Sequence, residues 1–99
     1  RGLEPTEGIP EMLLRRGLPR VQRSLTAGPG LLTQALGIST AHYGTDLTGN
    51  LIWLEDHGET IAPEAIRASP RVGIDYAGAD AALPWRFRLI GSPWTSPAR

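Results

Sequence analysis

The sequence predicts an α+β protein in which short helices accompany a mixed, mainly antiparallel sheet. Two segments in the C-terminal third alternate apolar and polar residues as strands do, and two segments nearer the N-terminus have the composition of short helices. Glycine and proline separate these segments at short intervals. At 99 residues, of which 40% are hydrophobic, the chain suffices for one small domain or part of a larger one.

The predicted sheet centres on two strands, at residues 71–76 and 85–89. In the first strand Val72, Ile74 and Tyr76 fall on one face, while arginine, glycine and aspartate fall on the other. The second strand repeats this alternation, with arginines on its polar face. A short loop ending in proline joins the two, so they are predicted to pair antiparallel within one sheet.

A first helix is predicted at residues 6–16, where Ile9, Met12 and Leu13 share one face and Gly17 follows. A second is predicted at residues 31–36, which are good helix formers that follow a Gly-Pro-Gly turn and precede another glycine.

Two further elements are predicted between the second helix and the first strand. Residues 51–54 are apolar and precede an acidic turn, which favours a short buried strand. Residues 62–68 are predicted to form a short helix with Pro63 in its first turn, ended by a Ser-Pro pair.

Composition excludes several classes of protein. Ten arginines balance ten acidic residues and lysine is absent, so any nucleic-acid surface must be local rather than a property of the whole chain. There is no cysteine, and the two histidines lie 15 positions apart without supporting ligands, so no metal or cofactor is expected. No apolar run is long enough to span a membrane, and we expect a soluble, cytoplasmic protein.

The one concentrated positive segment is Arg15, Arg16, Arg20 and Arg23, which has no acid between its members. Two interpretations stay open for it. The segment is either a solvated helix end whose cations complement the helix dipole, or a surface that contacts phosphate groups.

Two other motifs also carry a functional and a structural interpretation. The turn from Gly28 to Gly30 opens a helix whose free amides could receive an anion, although the same sequence is typical of a tight turn. Glu55, Asp56 and Glu59 could act as acid/base groups, but nothing apolar flanks them to raise a pKa, which favours a solvated turn.

Five segments, in the same order and at matching spacings, resemble the second half of the alkyladenine (3-methyladenine) DNA glycosylase family. They are Arg-Gly-Leu-Glu-Pro at 1–5, Gly-Pro-Gly-Leu-Leu-Thr-Gln-Ala-Leu-Gly-Ile at 28–38, Arg-Val-Gly-Ile at 71–74, Pro-Trp-Arg-Phe at 84–87 and Gly-Ser-Pro-Trp at 91–94. The resemblance spans essentially the whole chain. It implies a single-domain fold, excision of a damaged purine by base flipping and an activated water, and no metal.

The resemblance also assigns residues. Arg1 matches an arginine that lines the flipped-base pocket, and Val72 matches a position whose carbonyl holds the attacking water. Arg16, Gly28, Gly30 and Gly73 fall where the family meets the DNA backbone. Leu31 stands where the family usually has a lysine that reaches a phosphate.

The family's catalytic glutamate, its wedging tyrosine and its base-stacking residues would all precede Arg1, so no catalytic residue is assigned within this chain. Activating water needs a carboxylate, and flipping needs a wedge to offset unstacking. We therefore expect residues 1–99 to be the C-terminal portion of one such domain, an incomplete half of the fold. Its partners would be damaged double-stranded DNA and a missing N-terminal half. The alternatives are a non-catalytic nucleic-acid-binding module and an inactive truncated fragment.

Overall fold

The computed structural model describes residues 2–97, in which two α-helices and a two-stranded antiparallel sheet are joined by 3₁₀ turns and irregular segments. The regular elements are α1 (Ile9–Arg16), α2 (Pro29–Leu36), β1 (Ile66–Ser69) and β2 (Arg86–Leu89). Short 3₁₀ segments lie at Arg23–Leu25, Thr40–His42, Pro63–Ala65 and Asp75–Ala82. The predicted α+β class is confirmed and the sheet is antiparallel, but the strand that pairs with residues 86–89 is not the predicted one. No helix among the described residues is long and apolar enough to cross a lipid bilayer.

The helices predicted at residues 6–16 and 31–36 are present as α1 and α2, and they pack against each other to form the main core. Gly17 ends α1 in the left-handed conformation at φ 65°, and its N–H bonds back to the last turn of the helix. Pro29 starts α2 at a position where its missing N–H costs nothing. Met12 from α1 and Ala35 from α2 are buried against Leu25 in the connecting segment.

The N-terminal segment is fastened to the chain that connects the helices. Gly2 forms a β-bridge with Ala27, and the Thr26 hydroxyl donates a 2.6 Å hydrogen bond to the Leu3 carbonyl. Thr26 is 1% exposed, so this bond forms away from water, where an unpaired hydroxyl would be costly.

The strand predicted at residues 71–76 is wrong. This stretch is a bend followed by the 3₁₀ segment Asp75–Ala82, and Tyr76 is 87% exposed rather than packed with Ile74. Gly73 has φ +73°, a left-handed conformation that no extended strand contains. The alternation of apolar residues at 71–76 therefore does not correspond to a strand.

Two other predicted elements are also wrong. Residues 62–68 form a single 3₁₀ turn, Pro63–Ala65, and then β1, because pairing with β2 satisfies their backbone groups where a helix was expected. Residues 51–54 form no buried strand; a single bridge joins Thr48 to Trp53, and Leu54 is 79% exposed.

The sheet has two chemically different faces. The predicted strand at 85–89 is confirmed as β2, but its partner is β1, with Arg67 opposite Arg88 and Ser69 opposite Arg86. Directly opposed residues point to the same side, so these four form an arginine face. Ile66, Ala68, Phe87 and Leu89 form an apolar face. Phe87 is 68% exposed, whereas Arg86 and Arg88 are half-buried.

The chain is expanded for its length. Its radius of gyration is 15.2 Å, where a compact chain of this size has about 13 Å. Its accessible surface is 7745 Å², against about 5,500 Å² for a typical folded monomer of this mass. Among the described residues the buried apolar side chains are Met12, Leu25, Ala27, Ala35 and Ile74. Much apolar surface therefore remains without a packing partner.

We predict that Thr26→Val lowers the free energy of unfolding by about 1–2 kcal/mol, because it leaves the Leu3 carbonyl without its buried donor. Thr33→Val is the matched control, since the Thr33 hydroxyl bonds only to carbonyls one turn earlier in α2. Urea unfolding followed by circular dichroism measures both variants. Equal midpoints for the two would show that the Thr26 bond does not hold the N-terminal segment.

Candidate nucleic-acid interface

The five motif segments that are separate in the sequence converge on one cavity of about 540 Å³. Each segment contributes at least one residue to its wall, among them Glu4, Pro29, Val72, Trp85 and Trp94. All four residues of β2 lie in the cavity wall, so this strand forms one side of the cavity. The arrangement brings two indole rings and several guanidinium groups together around a space large enough for a small ligand.

Close backbone packing and two arginines hold the C-terminal side of this cavity. A side chain at Gly2 would collide with the Trp94 carbonyl, so only glycine lets the N-terminal segment approach so closely. Arg23 Nε donates to the Pro93 carbonyl at 3.1 Å, and Arg86 Nη2 donates to the Ser96 carbonyl at 2.5 Å. The segment after β2 is thus fastened from both sides.

Val72 lies in the cavity wall beside Arg71, and it is half-buried. The Arg71 guanidinium lies 5.7 Å from the centre of the Trp85 ring, a cation–π contact that orients both side chains. The role of the Val72 carbonyl in holding water stays a prediction. Arg1 lies outside the described residues, so its predicted place in the pocket stays a prediction as well.

Arg16 links the two helices. Its Nη1 donates to Gln34 Oε1 at 3.1 Å and its Nη2 to the Ser24 carbonyl at 2.8 Å, while its buried Nε has no partner within the described chain. Arg15 also links α1 to α2, since its Nη1 donates to the Ala35 carbonyl at 2.9 Å. Neither interpretation from the sequence included this role. Phosphate contact by Arg16 stays a prediction.

The Gly28 to Gly30 turn divides into two parts. Gly28 is buried at φ 142°, and its N–H donates to the Thr26 carbonyl, so it serves the turn itself. Gly30 is exposed in the first turn of α2, and neither its N–H nor that of Leu31 has a backbone acceptor within residues 2–97. An anion at this helix end would therefore meet the amides of Gly30 and Leu31. DNA contact at either glycine stays a prediction.

Gly73 directly follows Val72 and faces open space. Its left-handed φ explains the glycine locally, since other residues adopt this conformation only with strain. Close approach to DNA at this point stays a prediction.

The acidic turn has the properties of a solvated surface. Glu55 accepts hydrogen bonds from the Trp53 indole at 2.5 Å and from the His57 ring at 2.6 Å. The hydrogen bond from His57, followed by that from Trp53, lowers the pKa of Glu55, and the same carboxylate raises the pKa of His57. A general acid working at neutral pH needs the opposite shift.

Sequence reasoning missed the arginines and tryptophans of the cavity as candidate site residues. They are Arg71, Trp85, Arg86, Arg88 and Trp94. The alternation in β2 did indicate that Arg86 and Arg88 share a face. Because the partner strand was misplaced, nothing indicated what would lie opposite them.

Comparisons with known proteins identify the family of this chain. Residues 1–93 match the model of the methylpurine-DNA glycosylase (MPG) family. A protein of Chlorobaculum tepidum named "Putative 3-methyladenine DNA glycosylase" is 48% identical over 97% of this chain and 44% of its own length. Proteins with the same name from Rhodopseudomonas palustris and Bacillus subtilis are 46% and 41% identical, each over 97% of this chain and 44% and 47% of their own lengths.

The fold and the cavity thus belong to a chain whose relatives are named as DNA glycosylases. The chain belongs to the methylpurine-DNA glycosylase family. It spans somewhat less than half the length of the curated relatives it matches.

We predict that Gly73→Ala lowers the free energy of unfolding by about 1–2 kcal/mol, because alanine is strained at a left-handed φ. Gly30→Ala is the control, since Gly30 has ordinary helical geometry and open space around it, and alanine there should raise stability by about 0.4–1 kcal/mol. Urea unfolding compares the two. A Gly73→Ala protein as stable as the parent would contradict the bend described here.

The Glu55–His57 contact should depend on pH. His57 has a raised pKa, so its contribution is complete below its ordinary value of 6.5 and is lost as the pH rises through the higher value of the folded chain. Glu55 has a lowered pKa, so its contribution is complete above 4.5 and is lost as the pH falls through a lower value. The contact is therefore complete between about pH 4.5 and 6.5.

An NMR titration of the His57 ring measures this effect. The midpoint should lie above 6.5 in the parent and return toward 6.5 in Glu55→Gln. Asp56→Asn, which removes a charge next to Glu55 without touching the hydrogen bond, should leave the midpoint unchanged. A midpoint that is the same in the parent and in Glu55→Gln would show that the ion pair does not form.

Proposed function

We propose that this chain supplies the second half of a base-excision glycosylase, which flips a damaged purine nucleotide out of double-stranded DNA and hydrolyses its N-glycosidic bond. The observation that carries the proposal is the convergence of all five family motifs on one cavity. These segments are separated by up to about 90 residues, so contacts between sequence neighbours do not explain why they meet. A shared binding site explains it.

The wall of the cavity suits a flipped base and the DNA around it. The indoles of Trp85 and Trp94 offer flat apolar surfaces, and Arg71, Arg86 and Arg88 bring positive charge. In this proposal Arg1 lines the flipped-base pocket and the Val72 carbonyl holds the attacking water, as the family resemblance implies. The residues that lie against the DNA backbone are Arg16, Gly28, Gly30 and Gly73.

The carboxylate that activates water comes, in this proposal, from a complementary N-terminal half. Glu4 is the one carboxylate that the described residues bring to the cavity wall. The family resemblance places the catalytic glutamate elsewhere. Activation of water by a carboxylate is the step that this chain does not supply by itself.

The exposed surface of the chain supports a complementary half as the missing partner. The accessible surface exceeds that of a typical monomer by about 2,200 Å², an area in the range of permanent interfaces. Ile66, Phe87 and Leu89 on the apolar face of the sheet are all exposed. The curated relatives are about twice as long as this chain. We propose that the completed protein acts in the cytoplasm, on the bacterial nucleoid.

A non-catalytic nucleic-acid-binding module is the second candidate. It is favoured by the scarcity of carboxylates around a cavity otherwise rich in arginine and aromatic residues. The same fold and cavity would serve it, and only the excision step would be lacking. An inactive fragment would show neither excision nor specific binding.

We predict that the 99-residue chain alone forms no abasic sites in duplex DNA that contains hypoxanthine or 1,N6-ethenoadenine. A chimera that joins it to the part of the Chlorobaculum tepidum relative that it does not cover should form them, because the chimera restores a catalytic carboxylate. Strand cleavage by alkali after incubation measures abasic sites.

The two alternatives give different results in the same assay. Excision by the chain alone would contradict the need for a complementary half. A folded chimera that binds DNA without excising either base would favour the non-catalytic module. The Chlorobaculum tepidum relative itself is the positive control, and the part of it used in the chimera is the negative control.

A further inference from the structure

The arginine face of the sheet places like charges directly opposite each other. Arg67 on β1 pairs with Arg88 on β2, and Arg86 follows two residues along β2 on the same side. Cβ atoms of directly opposed residues lie about 4.5–5.5 Å apart, and like charges in such pairs are destabilising. Three guanidinium groups therefore share one side of a sheet that has only two strands.

No carboxylate of the described chain forms an ion pair with Arg67, Arg86 or Arg88, although Glu4 lies in the cavity wall with the last two. The only ion pair in residues 2–97 joins His57 to Glu55, and neither of these residues belongs to a strand. Arg86 and Arg88 are half-buried, so water screens them less than it screens a fully exposed side chain. The arrangement costs free energy unless a negative group lies between the guanidinium groups.

Neutral groups hold two of these side chains in place. Arg88 Nη1 donates to Ser69 Oγ at 2.7 Å, and Arg86 Nη2 donates to the Ser96 carbonyl at 2.5 Å. A guanidinium has five N–H donors, so each of these two keeps donors for a further acceptor. Hydrogen bonds to neutral oxygens fix the direction of the side chains and leave their charge uncompensated.

We infer that the arginine face of β1 and β2 binds a phosphate group. A phosphate offers several acceptor oxygens around one centre, and planar arginine forks match this arrangement with paired hydrogen bonds. Arg67 and Arg88 hold it from opposite strands, and Arg86 extends the site along β2 within the cavity wall. None of these three positions belongs to the DNA contacts that the family resemblance assigns.

The phosphate belongs to the DNA backbone, and this assignment of its source rests on the proposed function. Arg86 and Arg88 line the cavity together with Val72 and Trp85. A strand whose base enters the cavity must bring its sugar-phosphate chain to the same wall. A free phosphate group presents the same chemistry, so the source has to be separated by experiment.

The first experiment uses the 99-residue chain and inorganic phosphate or pyrophosphate. Adding either should raise the melting temperature of the parent and shift the Nε–Hε NMR signals of Arg67, Arg86 and Arg88. Arg67→Gln should lose at least about tenfold in phosphate affinity, as expected when one charge-assisted contact is removed. In phosphate-free buffer of low ionic strength, the same variant should melt higher than the parent, because it removes one member of a like-charge pair.

Asn50→Asp is the matched control, since it lowers the net charge by the same one unit in an exposed loop. It should leave the response to phosphate intact. Arg88→Gln tests the opposite strand and should lose phosphate binding as Arg67→Gln does. Unchanged arginine signals and an unchanged melting temperature after addition of phosphate would overturn the site. So would an Arg67→Gln protein that melts lower than the parent in phosphate-free buffer, because Arg67 would then be a stabilising structural residue.

The second experiment separates the two sources with undamaged duplex DNA, so that it does not depend on excision. If the backbone phosphate is the ligand, Arg67→Gln and Arg88→Gln should each lower the slope of log affinity against log salt by about one, for any sequence. Phosphate binding with an unchanged slope would overturn the DNA source and leave a free phosphate group as the ligand. Failure of base excision in the chimera would affect neither result.

Discussion

The buried segment from Leu25 to Gly28 is the constraint on which the rest of the structure depends. Leu25 fills the space between the two helices, and Thr26 ties the N-terminal segment to the same point through the Leu3 carbonyl. Ala27 then bridges to Gly2, which in turn lies against the Trp94 carbonyl. Four consecutive residues thus fix the relative positions of the helix pair, the start of the chain and the far wall of the cavity.

Arginine does much of the cross-linking that apolar residues do in larger domains. With so few buried apolar side chains, several segments are joined by guanidinium groups that donate to backbone carbonyls, as Arg15 does to Ala35 and Arg23 to Pro93. A hydrogen bond from a charged donor contributes more than one between neutral groups. Arginines in this chain therefore hold separate segments together through carbonyl groups, and Arg86 does so from the sheet at the cavity wall.

The elements that could be predicted are those determined by their own residues. The elements that could not are those determined by contacts with residues remote in the sequence. Both helices and β2 were predictable, because apolar spacing, glycine caps and alternation all lie within their own residues. β1 was not, since its alternation covers four residues only, within a stretch where Pro63 indicated a helix start, and the strand forms because β2 pairs with it across a gap of about twenty residues. The strand at 71–76 failed for the opposite reason. Its alternation is regular, but Gly73 adopts a backbone angle that only the structure reveals.

The same division applies to the site. The motif segments and their order were recognisable from the sequence, and they do meet at one cavity. The arginine face could not be found in this way, because it depends on which strand lies opposite β2. Arg16 is a second case in which the contacts could not be predicted. The family resemblance assigns it to the DNA backbone, whereas within this chain its side chain donates hydrogen bonds to Gln34 and to the Ser24 carbonyl.

A chain of zero net charge can still attract a polyanion in one orientation, because its charges are segregated. No arginine occurs between Arg23 and Arg67, and this interval holds Asp46, Glu55, Asp56, Glu59 and Glu64. Within residues 2–97, none of those acids lines the cavity, whose wall carries Arg71, Arg86 and Arg88 with Glu4 as its one acid. An excess of positive charge around a concave surface attracts an anionic partner to it. The acidic residues between Arg23 and Arg67 repel the same partner from their part of the surface. Neutrality over the whole sequence is thus compatible with a positive surface at the cavity where the family motifs converge.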